Sequence, residues 1–174
     1  MHAHSAPDIT AGGREIRRLY DRLLDAWTRG DAEAYGQAFT ADVDYVPFDG
    51  SRLVGRRAVV DSHDRLFRGV LAGSALVGEV ETVRHIHPDI AVVHAFGSVR
   101  MPWRSTLPRR RLSRQTLVAV RTDEDWRFTA FQNARVRPMR IPDPASFPSR
   151  ASRALARLAR LLGIGRARDR GAGA

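Results

Sequence analysis

Apolar residues recur at helical spacing through Ile16, Leu19, Tyr20, Leu23, Leu24 and Trp27, with Arg and Asp between them, which predicts a helix over 13–29 with one buried side. Gly30 ends it, and Asp31 can cap a short second helix over 32–39, closed by Thr40-Ala41-Asp42. A strand is expected over 43–48, a hairpin turn at Asp49-Gly50 and a short return strand over 52–54. The third helix, 56–69, sets Val59, His63, Leu66, Phe67 and Val70 on one face. Its other face carries the acid-first pairs Asp61 with Arg65 and Asp64 with Arg68, so His63 points inward and the charges outward.

Two long strands follow, 76–87 and 90–101, joined at Pro88-Asp89, and then an irregular loop, 101–111, at the sheet edge or a pocket mouth. The last pair, 113–121 and 126–136, is the most informative. The second member, WRFTAFQNARV, begins as an apolar alternation and continues with Gln132, Asn133 and Arg135 where a core strand would carry Val or Ile. A tight turn over 122–125 sets Arg114 opposite Asn133 and Gln115 opposite Gln132, gathering polar groups at one end of the hairpin. Leu117, Ala119, Trp126 and Phe128 then share one face, and Val118, Val120 and Phe131 the other. Both faces need cover, from helices on one side and a second subunit on the other.

Residues 1–12 are small and polar and are expected to be disordered; the domain runs from 13 to 136; Pro138, Pro142, Pro144 and Pro148 mark 137–149 as a linker; and 150–174 holds a basic amphipathic helix and tail. A core of about 130 residues buries roughly two-thirds of its unfolded surface, enough for one stable domain. The net charge of +10 is lopsided: all 29 basic residues are Arg, and 9 of them face only 2 acids after residue 136. The terminal helix could dock on anionic lipid, nucleic acid or a partner, although its narrow, Ala-rich stripe favours a loosely ordered tail. The segment MHAHSAPDITAGG lacks the apolar stretch of a signal peptide, so a cytoplasmic protein is expected.

With no Cys, the chain has no thiolate nucleophile and no Cys-ligated metal. It also lacks a G-x-G-x-x-G, a P-loop and a G-x-S-x-G elbow, so no cofactor is expected. His63 is the first candidate for catalysis, because imidazole exchanges a proton near neutral pH; the alternative is a core histidine bonded to a carbonyl. Asp44 and Tyr45 on the first strand are candidate base or orienting groups, or else a solvated carboxylate and a core phenol. Arg114 and Asn133, if opposed, would suit an oxyanion, or would close the sheet end as a cross-strand bond. His85, His87 and His94 fall on one sheet face in the simplest register, which permits a metal but lacks a carboxylate pattern to support it; no metal is expected.

Five ordered blocks, GDAEAYGQAFTADVDYVPFDG, GRRAVVDSHDRLF, PDIAVVHAFG, SRQTLVAV and WRFTAFQNARV, resemble the SgcJ/EcaC-type family of the SnoaL-like, or nuclear-transport-factor-two-like, superfamily, over residues 15–136. The resemblance implies an α+β cone: a curved antiparallel sheet wrapped by three helices around a deep pocket, commonly dimeric through the sheet. It implies that Trp27, Tyr45, His63, Arg114, Gln132 and Asn133 stand near the pocket, the first of them and the last three as substrate-binding groups. It also implies an oxidoreductase association beside pathways making aromatic polyketides and enediynes. Related cyclases and ketosteroid isomerases use an acidic base on a pocket strand; no acid occurs in 127–136, and Asp44 is a loose match. The expectation is therefore a small-molecule enzyme or binder, a homodimer with an apolar pocket for a hydrophobic ligand, acting on a polyketide-type metabolite as a cofactor-independent oxidoreductase. The alternative is a non-catalytic ligand carrier or association module.

Overall fold

The structure is a computed structural model and describes residues 10–107, 112–123, 125–137 and 141–162. Expectations for 1–9, for 108–111, for part of the linker and for the chain end after Leu162 lie outside the described residues. The chain divides into two compact units at Val136/Arg137.

In the first unit, α1 (Ala11–Arg29), α2 (Ala32–Gly36), β1 (Phe39–Val46), β2 (Leu53–Val54), α3 (Arg56–Arg68), β3 (Ala75–His87), β4 (Ile90–Arg100), β5 (Ser113–Arg121) and β6 (Trp126–Arg135) follow in that order. One six-stranded sheet, β2-β1-β6-β5-β4-β3, curls around the apolar faces of the helices, which is the α+β cone expected. Most neighbours are antiparallel; β1 lies parallel to β6. The α1 stripe Ile16, Leu19, Tyr20, Leu23 and Trp27 is buried against the inner face of the sheet, beside Val83, Val93, Leu117, Trp126 and Phe128.

Several boundaries differ from expectation for local reasons. Thr10 is an N-cap, accepting from the Gly13 amide at 3.1 Å, so 10–12 belong to the domain and not to a disordered arm. The second helix stops at Gly36 and β1 starts at Phe39, because Phe39 is a fully buried strand residue opposite Phe128. On α3, Arg57 takes Asp61 at 2.8 Å in place of the pairing with Arg65, while Asp64 meets Arg68 at 2.9 Å as expected.

Single extra residues reset the register at one place in β6 and at two in β3. In β6, Ala119 pairs with Phe128 but Val118 pairs with Ala130, so Thr129 is extra. Beyond it Gln115 faces Asn133, Thr116 faces Gln132 and Arg114 faces Ala134, which corrects the register expected from an unbroken hairpin. Phe131 thereby joins Leu117 on the inner face, correcting its assignment to the outer one. In β3, Ile86 is extra, which sets His94 opposite Thr82 on the exposed side. His85 instead packs edge-on against buried Trp126, so His85 and His94 do not share a face. Among the described residues no three His, Cys, Asp or Glu gather at metal spacing.

In the second unit, α4 (Phe147–Leu161) begins three residues earlier than expected, because Pro148 sits in its first turn, where its missing N–H has no partner to lose. Among the described residues no helix is long and apolar enough to cross a membrane.

Gly78 and Gly97 face each other across β3 and β4 beneath the Tyr20 hydroxyl. A Cβ on Gly78 would lie 2.5 Å from the Phe96 carbonyl oxygen and 2.9 Å from the Tyr20 Oη. Gly78→Ala should therefore cost about 1–3 kcal/mol in urea unfolding; a change within 0.5 kcal/mol, roughly the surface-substitution range, would show that this packing has slack.

Candidate functional site

A cavity of about 450 Å³ opens between α3, β1 and the inner ends of β4, β5 and β6. Its two walls differ. One is a ring cluster built because helical spacing puts His63 one turn from Val59 and Phe67, and strand alternation puts Tyr45 two residues from Val43. His63 stacks on Tyr35 (centroids 4.2 Å, 26°) and meets Trp27 edge-on at 5.6 Å, while Tyr45 stacks on Phe131 (4.4 Å, 7°). All five rings are buried, and all five line the cavity.

A chain of hydrogen bonds fixes the imidazole. Nδ1 lies 2.8 Å from the Val59 carbonyl, which can only accept, so Nδ1 carries the proton and Nε2 presents a lone pair. Nε2 lies 3.4 Å from the Tyr45 hydroxyl, itself 3.0 Å from the Tyr35 hydroxyl, so the protons run from Tyr35 to Tyr45 to His63. Burial pushes the imidazole pKa down to about 4, against the opposing effect of the Val59 bond. Burial likewise raises both phenols well above their ordinary range. This wall is neutral at physiological pH.

The other wall is the sheet floor. Tyr20 donates to Gln115 Oε1 at 2.7 Å, which turns the Gln115 NH2 toward Gly97 and the cavity. Directly across the β5–β6 ladder stands Asn133, whose Oδ1 is buried and accepts no hydrogen bond from the described residues. A buried acceptor without a donor costs about 1–3 kcal/mol. Gln115 and Asn133 together offer one donor and one acceptor side by side. At the mouth, Arg135 lies over the Phe48 ring at 4.1 Å, and Asp49 is held by Ser51.

Trp27, Tyr45, His63 and Asn133 are thus brought together, and three candidates are not. Asp44 points away from the cavity and pairs with Arg52, because strand alternation sends its neighbours Val43 and Tyr45 inward. Arg114 lies on the outer face, with Glu81 at 2.6 Å, because the unbroken alternation of β5 sends Gln115 inward instead, and Gln132 is exposed there too, because the Thr129 bulge turns Asn133 inside in its place. The oxyanion clamp of Arg114 with Asn133 is therefore not formed. Gln115 and Tyr35 are lining residues that sequence reasoning did not single out. Gln115 carried a signal, an amide on the same face of β5 as Leu117 and Ala119, but its partner across the ladder depended on the bulge.

The depressed imidazole pKa has a stability consequence. The unfolded chain binds this proton below about pH 6.5 and the folded chain only below about 4. Stability therefore falls as pH drops through that window, by about 1.36 kcal/mol per unit once the unfolded imidazole is charged. From pH 7 to pH 5, wild type should lose about 2 kcal/mol more in urea unfolding than His63→Gln, which removes the titrating group. Identical acid sensitivity in the two proteins would contradict a buried neutral imidazole.

A family model described as a SnoaL-like domain matches residues 16–132. Among solved structures, a domain of unknown function with a cystatin-like fold from Nostoc punctiforme is 28% identical, with a TM-score of 0.71 over 88% of this chain and 98% of that one. An NTF2-like protein with a cystatin-like fold from Novosphingobium aromaticivorans is 24% identical, TM-score 0.63, over 80% and 87%. A ketosteroid isomerase-like protein from Erwinia carotovora atroseptica is 14% identical, TM-score 0.57, over 72% and 96%, a likeness of fold alone. No curated protein matches the chain. Folds of this kind generally serve as small-molecule binding or isomerase-type domains. With its sheet curled over a deep cavity and the family model spanning residues 16–132, the chain belongs to the SnoaL-like domain family.

Proposed function

We propose that the cavity binds a neutral, hydrophobic, oxygenated small molecule of polyketide type. The observation that carries this reading is the unpartnered Asn133 Oδ1 beside the Gln115 NH2, at the floor of a cavity whose other wall is aromatic and uncharged. That pair complements a hydroxyl next to a carbonyl on one face of a planar ligand, and the rings supply stacking area. The volume suits a molecule of drug size. Because the cavity is open and not filled by its own side chains, ligand binding is favoured over a purely associative role.

If the bound molecule turns over, His63 Nε2 is the group to receive its proton, directly or through Tyr45. A pKa near 4 makes this a weak base, so the substrate carbon must be strongly acidified by flanking carbonyls. Cofactor-independent oxidation would then proceed by loss of the C–H proton to His63 and attack of the carbanion on dioxygen. The proton returns to the terminal oxygen, giving the hydroperoxide. The enolate oxygen falls to the Gln115 NH2 in place of Arg114. We also infer that two copies pair through the outer face of the sheet, where Val92, Phe96, Val118 and Ala130 are only half-buried in one chain.

Calorimetric titration with hydroxylated naphthoquinones and anthraquinones should give one site per chain. Gln115→Leu and Asn133→Leu should each weaken it about tenfold, or 1.4 kcal/mol, and Gln132→Leu on the outer face should not. Anthracene binding as tightly as its hydroxyquinone counterpart would contradict the role of the floor pair. Oxygen uptake by a bound ligand, if it occurs, should vanish in His63→Gln. Light scattering at micromolar concentration should give twice the chain mass; a single-chain particle would remove the dimer from the proposal.

A further inference from the structure

The second unit carries a surface that the cavity does not explain. Along α4, at about 100° per residue, Arg150, Arg153, Arg157 and Arg160 fall on one narrow stripe. Phe147, Ala151, Leu155, Leu158 and Leu162 fall on a second, offset stripe, at i, i+4, i+8, i+11 and i+15. No residue of the helix is buried; Phe147 is 82% exposed, Leu155 66% and Leu161 84%. No Asp or Glu occurs from 144 to 162. A cationic stripe edged by exposed Leu and Phe is expensive to leave in water, since each large apolar side chain forgoes roughly 1.5–3 kcal/mol of burial.

Three occupants could cover it, and their chemistry separates them. A nucleic acid would meet the guanidinium stripe but leave the leucines and Phe147 in water. A second copy of α4 would cover the leucines but leave the Arg stripe, about 140° round the helix, with no carboxylate from the partner helix to meet it. A lipid surface with anionic headgroups satisfies both stripes at once: guanidinium groups bind phosphates at headgroup level and the apolar stripe sinks into the acyl boundary. We propose that α4 is an interfacial helix that docks the chain on an anionic lipid bilayer. The helix lies in the plane of the surface and does not cross it. This inference does not rest on the ligand reading of the cavity.

Co-sedimentation of the full chain with vesicles tests it, comparing equal parts phosphatidylglycerol and phosphatidylcholine with phosphatidylcholine alone. The anionic vesicles should bind about tenfold more tightly or better, and added salt should weaken them. Leu155→Gln with Leu158→Gln leaves the charge unchanged and should weaken binding by about tenfold; Arg150→Gln with Arg157→Gln should do so too. Because none of these side chains is buried, the thermal midpoint of the chain should stay put, which separates lost docking from lost fold. Equal affinity for both vesicle types overturns the proposal, as does a leucine variant that binds like wild type. Salt-sensitive binding of duplex DNA that ignores the leucines, with no vesicle binding, points to nucleic acid instead. An oligomer in the absence of lipid that the leucine variant dissolves points to a second copy.

Discussion

One extra residue, Thr129, decides what faces the cavity. Before it, β6 sends Trp126 and Phe128 inward; after it, Phe131, Asn133 and Arg135. Without that bulge, a side-chain period of two would turn Ala130, Gln132 and Ala134 to the inner face and leave Phe131 in water. The bulge is held from the β1 side. Its hydroxyl is shared with Thr40 at 3.3 Å, and β1 is itself irregular between Phe39 and Asp44, where it runs parallel to β6. The stacking of Phe131 on Tyr45 and the apposition of Gln115 with Asn133 both follow from this parity change. Arg114 owes its place on the outer face, against Glu81, to the unbroken alternation of β5.

That same residue explains what could be read from the chain and what could not. Helices α1 and α3 were legible because their apolar spacing is unbroken, and His63 was legible as inward-facing because it shares that spacing with Val59 and Phe67. Strand existence was equally plain, and β5 lies at Ser113–Arg121, the range its alternation predicts. In β6, however, Phe128 and Phe131 are three apart, a spacing that fits either a strand apolar on both faces or a bulged strand apolar on one. A single sequence does not distinguish them. The choice propagates to every residue beyond it, which is why Gln132 was expected in the pocket and Asn133 opposite Arg114. The early start of β1 was hidden for a related reason, since packing of Phe39 and not local propensity sets where the strand begins, whereas the short return strand β2 was read to within one residue.

The chemistry of the cavity follows from its neutrality. His63 is held with its proton on Nδ1 and is too buried to charge near pH 7. The tyrosines beside it are locked protonated, and the carboxylate nearest in sequence, Asp44, faces the other way. Among the described lining residues the carboxylate is Asp49, which is exposed and held by Ser51. Inside stand a ring-lined wall and, on the sheet side, the Gln115 amide donor with two buried polar atoms that have no partner among the described residues, Asn133 Oδ1 and Ser98 Oγ. The aromatic wall and the amide floor discriminate by hydrogen-bond complementarity, and the charged lining residues, Asp49 and Arg135, stand at the mouth, away from that floor.

Native mass spectrometry on the chain purified at neutral pH tests that central claim most directly. The account predicts a co-purified organic molecule, one per chain, neutral in solution and carrying at least one hydroxyl and one carbonyl, retained by wild type and lost from Asn133→Leu. A bound carboxylate or phosphate species, or equal retention by Asn133→Leu, would contradict a cavity organised around the Gln115 and Asn133 amides.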